Sequence, residues 1–114
     1  YTAEDIVQAK KEGKVCIIMG SQNARIIDDD LGLIRIFQRL GIRIIQLAYA
    51  EQNYIASGGE DVDGGLSLFG RKVINEMNRK GILVDISHFG AISPFWLASI
   101  LQIVSRFHSL RDLD

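Results

Sequence analysis

Apolar and polar positions along the chain predict helices and strands in turn. Thr2 reads as a helix N-cap with Asp5 three residues on, where a carboxylate suits the positive helix end. Ile6, Val7 and Ala9 form the apolar side of that helix, which runs to Gly13. Val15-Cys16-Ile17-Ile18-Met19 is a continuous apolar run and predicts a short strand buried on both faces. Asp28-Asp29-Asp30 supplies negative charge at a second helix start, and Leu33, Ile36, Phe37 and Leu40 recur at helical spacing before Gly41. A second strand is predicted over Ile42 to Ala48. Tyr49 to Leu66 holds Gly58, Gly59, Gly64 and Gly65 without clear periodicity, and predicts a long loop of the functional or mobile kind. Ser67 caps a third helix with Phe69, Val73 and Met77 on one face, and Gly81 stops it. Ile82 to Ile86 is the third strand. Ser93 and Pro94 open a fourth helix carrying Phe95, Trp96, Ile100 and Leu101, and Ile103 to Phe107 is a candidate fourth strand broken by Ser105 and Arg106.

The order αβαβαβα argues for a parallel sheet with right-handed crossovers. Two α/β architectures fit: a small doubly wound sheet, or about half of a (β/α)8 TIM-like barrel, which needs about 250 residues when complete. No domain boundary interrupts residues 1–114, which read as one unit whose last stretch of roughly 15 residues is unassigned. The chain starts at Tyr1, as an excerpt from a longer protein would. Its 114 residues are 47% hydrophobic and 24% charged, which excludes a disordered or low-complexity chain. A formal net charge of −1 gives no footprint for nucleic acid or an anionic membrane surface. No apolar run reaches the roughly 18 residues that span a bilayer. The single Cys16 excludes a disulfide scaffold, and its setting in an apolar strand reads as a small core residue.

Both architectures put their sites beyond the C-terminal ends of the strands. Ser21, Gln22 and Asn23 follow the first strand, Tyr49, Glu51, Gln52 and Asn53 the second, Ser87 and His88 the third, and His108 the candidate fourth. Two imidazoles in such a polar set could bind a metal or orient a substrate, although one histidine at a strand end is more often a hydrogen-bonded loop residue. Asp85 inside its strand fits either a partner for a helix end or basic side chain, or support for a ligand. The glycine pairs lack phosphate-loop spacing and a following Lys-Ser/Thr, which disfavours nucleotide binding. Ser21 and Ser87 lack a Gly-x-Ser-x-Gly setting, which disfavours a serine hydrolase.

Gly65-Leu66-Ser67-x-Phe69-Gly70, Val73-Ile74-x-Glu76-Met77-Asn78-Arg79-x-Gly81 and Leu83-Val84-Asp85-x-Ser87-His88 together resemble the renal (membrane) dipeptidase family. Asp29-Asp30-Leu31, Leu40-Gly41-Ile42-Arg43 and Gln46-Leu47 fit upstream in the same order, so the resemblance covers roughly residues 2 to 97. It implies a zinc-dependent dipeptidase on a TIM-like barrel with two metal ions, acting on dipeptides through metal-activated water. By the resemblance His88 matches a zinc ligand, and His108-Ser109 falls near a second ligand histidine, though Arg106 and Phe107 do not reproduce that motif. Gln22 stands where the family has a metal-bridging Glu; a neutral amide offers one weak oxygen in place of an anion, so two close dications repel with less compensation. Tyr49 stands where the family has a substrate-contacting His, and its phenol can still donate to a developing oxyanion. The family's early His-x-Asp pair and its late Asp have no counterpart here. The resemblance therefore implies the middle of a metallohydrolase barrel that hydrolyses no dipeptide by itself, with a dipeptide as substrate partner and a homodimer as a further expectation. Two alternatives remain at this point: a non-catalytic binding protein on the same fold, and a small independent flavodoxin-like binding domain.

Overall fold

The structure, a computed structural model, describes residues 2–60 and 64–90. The expected fourth helix from Ser93, the candidate strand at 103–107 and His108 lie outside the described residues. The order is α1 (Ala3–Lys11), β1 (Met19–Ser21), a 3-10 turn (Ala24–Ile27), α2 (Gly32–Arg39), β2 (Ile42–Gln46), α3 (Leu68–Arg79) and β3 (Leu83–Asp85). The strands form one parallel sheet in the order β1-β2-β3. A doubly wound sheet reverses its strand order and carries helices on both faces. Among the described residues the strand order follows the sequence, and α2 and α3 pack on each other and on β2 and β3 respectively, so both crossovers lie on one face. That is the winding of a (β/α)8 barrel segment, and three consecutive strands from one half of a doubly wound sheet share it.

Strand periodicity of two assigns the faces. Ile45 and Leu47 alternate onto the helix face and are fully buried with Ile34, Val73 and Met77, which form the core together with Ile27, Ile55 and Ile82. Ile44 and Gln46 alternate onto the other face, where they line an open groove with Gly20.

The first strand differs from expectation. Val15 is 90% exposed and Ile17 83% exposed, and pairing starts only at Met19. The reason lies in the neighbour. β2 begins at Ile42, directly after Gly41 with φ +103, so nothing precedes it to pair with Val15 to Ile18, and the register shifts between Met19 and Gly20. Cys16 is accordingly exposed rather than in the core. In α2 the buried residue is Ile34, flanked by half-buried Leu33 and Phe37, whereas Ile36 and Leu40 face outward. At about 100° per residue, Ile36 lies about 200° around the helix from Ile34. The predicted stripe was thus displaced, because α3 and β2 meet the helix at Ile34's side. Helix α1 keeps its predicted start and its Thr2–Asp5 cap, with Thr2 N donating to Asp5 Oδ2 at 2.6 Å, but it ends at Lys11 before Gly13, and none of its residues is buried.

Helix α3 follows its sequence closely. Ser67 Oγ accepts from Gly70 N at 2.8 Å and donates to the Tyr54 carbonyl at 2.6 Å, so it caps the helix and ties it to the preceding loop. Val73, Ile74 and Met77 are buried, and Gly81 with φ +68 closes the helix. On the solvent side Arg79 donates to Glu76 at 2.7 and 2.8 Å, which holds the Glu76 carboxyl below its usual range. Ser67→Ala should cost about 1–2 kcal/mol, read as a lower urea midpoint of the full-length protein. An unchanged midpoint would show that the cap is dispensable. No helix among the described residues is long and apolar enough to cross a membrane.

Candidate active site

The C-terminal ends of the three strands open onto a groove of about 340 Å3, lined by Ile18, Gly20, Ser21, Gln22, Ile44, Gln46, Asp85, Ser87 and His88. Of the residues expected there, Ser21, Gln22, Ser87 and His88 come together. Tyr49 joins them from the loop after β2: its ring centroid lies 4.5 Å from that of His88, at 46° between the planes. His88 has φ +60, a left-handed backbone conformation uncommon outside glycine, and its side chain is exposed.

Among the described residues, Asp85 bonds to Ser87 and to no helix end or basic side chain. Its Oδ1 accepts from Ser87 N at 2.8 Å and from Ser87 Oγ at 2.6 Å, an Asx-type turn that bends the chain between β3 and His88. Gln46, 3% exposed, donates from Nε2 to the Ser87 carbonyl. Sequence reasoning did not single out Gln46 as a groove residue. The available signal was a lone amide at the end of an otherwise Ile-rich strand.

Glu51, Gln52 and Asn53 do not enter this groove. Glu51 pairs with Arg25 at 2.9 Å, and Gln52 and Asn53 line a separate open hollow of about 710 Å3 with Arg25, Asp28 and Tyr54. Asn53 organises the loop. Its Nδ2 donates to Asn23 Oδ1 at 2.9 Å and to the Leu47 carbonyl at 2.8 Å, and its Oδ1 accepts from Ile55 N and Ala56 N at 2.7 and 3.0 Å. Asn23 in turn caps the 3-10 turn, accepting from Arg25 N at 3.0 Å. The described parts of the loop that looked structureless in sequence, residues 49–60 and 64–66, are therefore tied by backbone pairings, Ala56 with Leu66 and Gly58 with Phe89 among them. The second of these joins the loop to the turn just after His88, which keeps Tyr49 beside the imidazole.

As a donor set, His88 offers an imidazole suited to a borderline metal ion, Gln22 offers one weak amide oxygen, and Asp85 is already engaged by Ser87. Among the described residues no three His, Cys, Asp or Glu side chains converge. A metal at this end of the sheet would thus find one good ligand here, and its remaining donors would have to come from beyond the described residues.

Known proteins resemble this chain in sequence and in fold. The model of the membrane dipeptidase family (peptidase family M19) matches residues 1–95. Dipeptidase tcpJ of Claviceps purpurea is 36% identical over 91 residues, 77% of this chain and 21% of its own length. An uncharacterized dipeptidase of Schizosaccharomyces pombe is 35% identical over 92 residues, 75% of this chain and 22% of its own. Among solved structures, an amidohydrolase from Pseudomonas aeruginosa superposes with TM-score 0.77 at 40% identity, over 88% of this chain and 30% of that one. A metallo peptidase from Rhodobacter sphaeroides, liganded with a phosphinate mimic of the dipeptide L-Ala-D-Ala, superposes with TM-score 0.76 at 25% identity, over 90% and 30%. The chain spans about a fifth of the length of these curated relatives. On the family match and on the three-strand frame that ends in Asp-x-Ser-His, this chain belongs to the membrane dipeptidase family.

Proposed function

We propose that this chain forms part of the active-site face of a zinc-dependent dipeptidase. The observation that carries the reading is the apposition of the His88 and Tyr49 rings at the rim of the groove. When bound, the metal supplies Lewis acidity that activates water and polarises the peptide carbonyl. His88 contributes an imidazole ligand, and His108, outside the described residues, is the proposed second. Gln22 borders the same groove and lends an amide oxygen where the family has a bridging carboxylate, which weakens the hold on a pair of ions. Tyr49 donates its phenolic proton in a hydrogen bond to the oxygen that gains charge as the carbonyl is attacked. A groove of about 340 Å3 suits a small substrate, and the dipeptide mimic held by the Rhodobacter sphaeroides neighbour supports a dipeptide as that substrate.

The test is an assay of the full-length protein on a panel of dipeptides, before and after treatment with a strong chelator. Hydrolysis should disappear on chelation and return with added zinc, while the 114-residue chain alone turns over none. Chelator-insensitive hydrolysis would overturn the metal dependence. Tight dipeptide binding without turnover by the metal-loaded protein would favour the non-catalytic reading, in which Gln22 and Tyr49 mark a site converted to binding.

A further inference from the structure

Gln46 and Asp85 are register partners at the ends of β2 and β3 and line the same groove. Between them they bind every polar group of Ser87. Asp85 Oδ1 takes the amide N–H at 2.8 Å and the hydroxyl at 2.6 Å, while the buried Gln46 amide donates to the carbonyl. The next residue is His88, in the left-handed region at φ +60. Such a conformation in a residue with a side chain persists only where its surroundings over-determine it. Phe89 N, which donates to the Ile86 carbonyl at 3.1 Å, closes the turn from the other side. Among the described residues these bonds cap no helix, and the Ser87 carbonyl also gives the buried Gln46 amide the partner that burial demands. The consequence of these bonds is that the imidazole emerges from the strand end toward Tyr49.

We propose that Gln46 and Asp85 are positioning residues that clamp Ser87 and so aim the His88 imidazole at the metal. The proposal rests on the reading of His88 as a ligand. Asp85 acts as a hydrogen-bond acceptor and not through its charge; Gln46 acts as a donor. A ligand whose orientation is preset in this way loses less freedom when it binds the ion.

The test compares Gln46→Met, Asp85→Ala, Asp85→Asn and His88→Ala in the full-length protein. Zinc affinity is measured by competition with a colorimetric chelator, and the visible spectrum of the cobalt(II)-loaded protein reports ligand geometry. Gln46→Met and Asp85→Ala should weaken zinc binding by about 10- to 100-fold and alter the cobalt spectrum. Asp85→Asn keeps the acceptor oxygen and should stay close to wild type, as a purely electrostatic role would not allow. Wild-type affinity and spectrum in both Gln46→Met and Asp85→Ala would overturn the proposal, as would an Asp85→Asn variant as weak as Asp85→Ala. If His88→Ala weakens zinc while the other three do not, the ligand reading stands and the positioning role falls. If His88→Ala binds zinc normally, both fall.

Discussion

His88→Ala in the full-length protein is expected to lower kcat/KM for dipeptide hydrolysis by more than about a hundredfold, because loss of a ligand should exceed the loss seen for residues that merely support one. Bound metal, measured by elemental analysis after dialysis, should fall with it. Tyr49→Phe separates the two rings' roles. It keeps the contact with His88 but removes the phenolic proton, the only one the Tyr49 side chain can donate. Its metal content should therefore match wild type while kcat drops by about a hundredfold. Equal loss of metal in both variants would mean that Tyr49 holds His88 in place and does not contact the reacting carbonyl. Full activity in His88→Ala would remove this groove from the chemistry altogether.

The second large effect concerns the loop that carries Tyr49. Gly58 is buried where the chain crosses the backbone of Tyr49 and Ala50, and a methyl group there would overlap the carbonyls of both residues. Gly59 N and Glu60 N donate to those same carbonyls at 3.0 and 3.1 Å, so the crossing cannot open without losing its bonds. Gly58→Ala should cost about 3 kcal/mol, at the upper end of the usual overpacking penalty, since the clash is with backbone. Gly59→Ala is the control: its methyl would sit 3.4 Å from the His88 carbonyl, an ordinary contact, and should cost less than about 1 kcal/mol. Urea unfolding of the two variants measures the difference. Equal midpoints would show that the loop relaxes around position 58. Because Gly58 also pairs with Phe89, the destabilised variant should lose dipeptide turnover as well as stability.

The local signals in the sequence are those whose physics is local. Ser67, Gly81 and the Val73–Met77 spacing determined α3 without help from the rest of the molecule, because a cap bonds within its own first turn and a left-handed glycine ends the helix it follows. The polar residues after the strands were legible as a set for a similar reason: parallel strands deliver their C-terminal ends to one edge whatever the surrounding loops do. His88 and Tyr49 were named on that basis and on the family motif.

Burial was a different matter, since it depends on what lies alongside. The run from Val15 to Met19 has the composition of an interior strand, but most of it extends past the start of β2 and remains open. The stripe on α2 turned toward Ile34 because β2 and α3 lie on that side. Gly58 and Gly59 are chemically identical neighbours, and only the path of residues 49–50 distinguishes them. Gln46 and Asp85 are 39 positions apart in the numbering, and neither announces a shared task; the β2–β3 register sets them side by side over Ser87. The sequence by itself therefore determined α3, the alternation of helices with parallel strands and the polar residues at the strand ends, all consequences of short-range bonding and strand direction. Tertiary structure alone decided which apolar faces are covered, which glycine has no room for a side chain and how the His88 imidazole is aimed, because each of these depends on backbone brought close from a distant part of the chain.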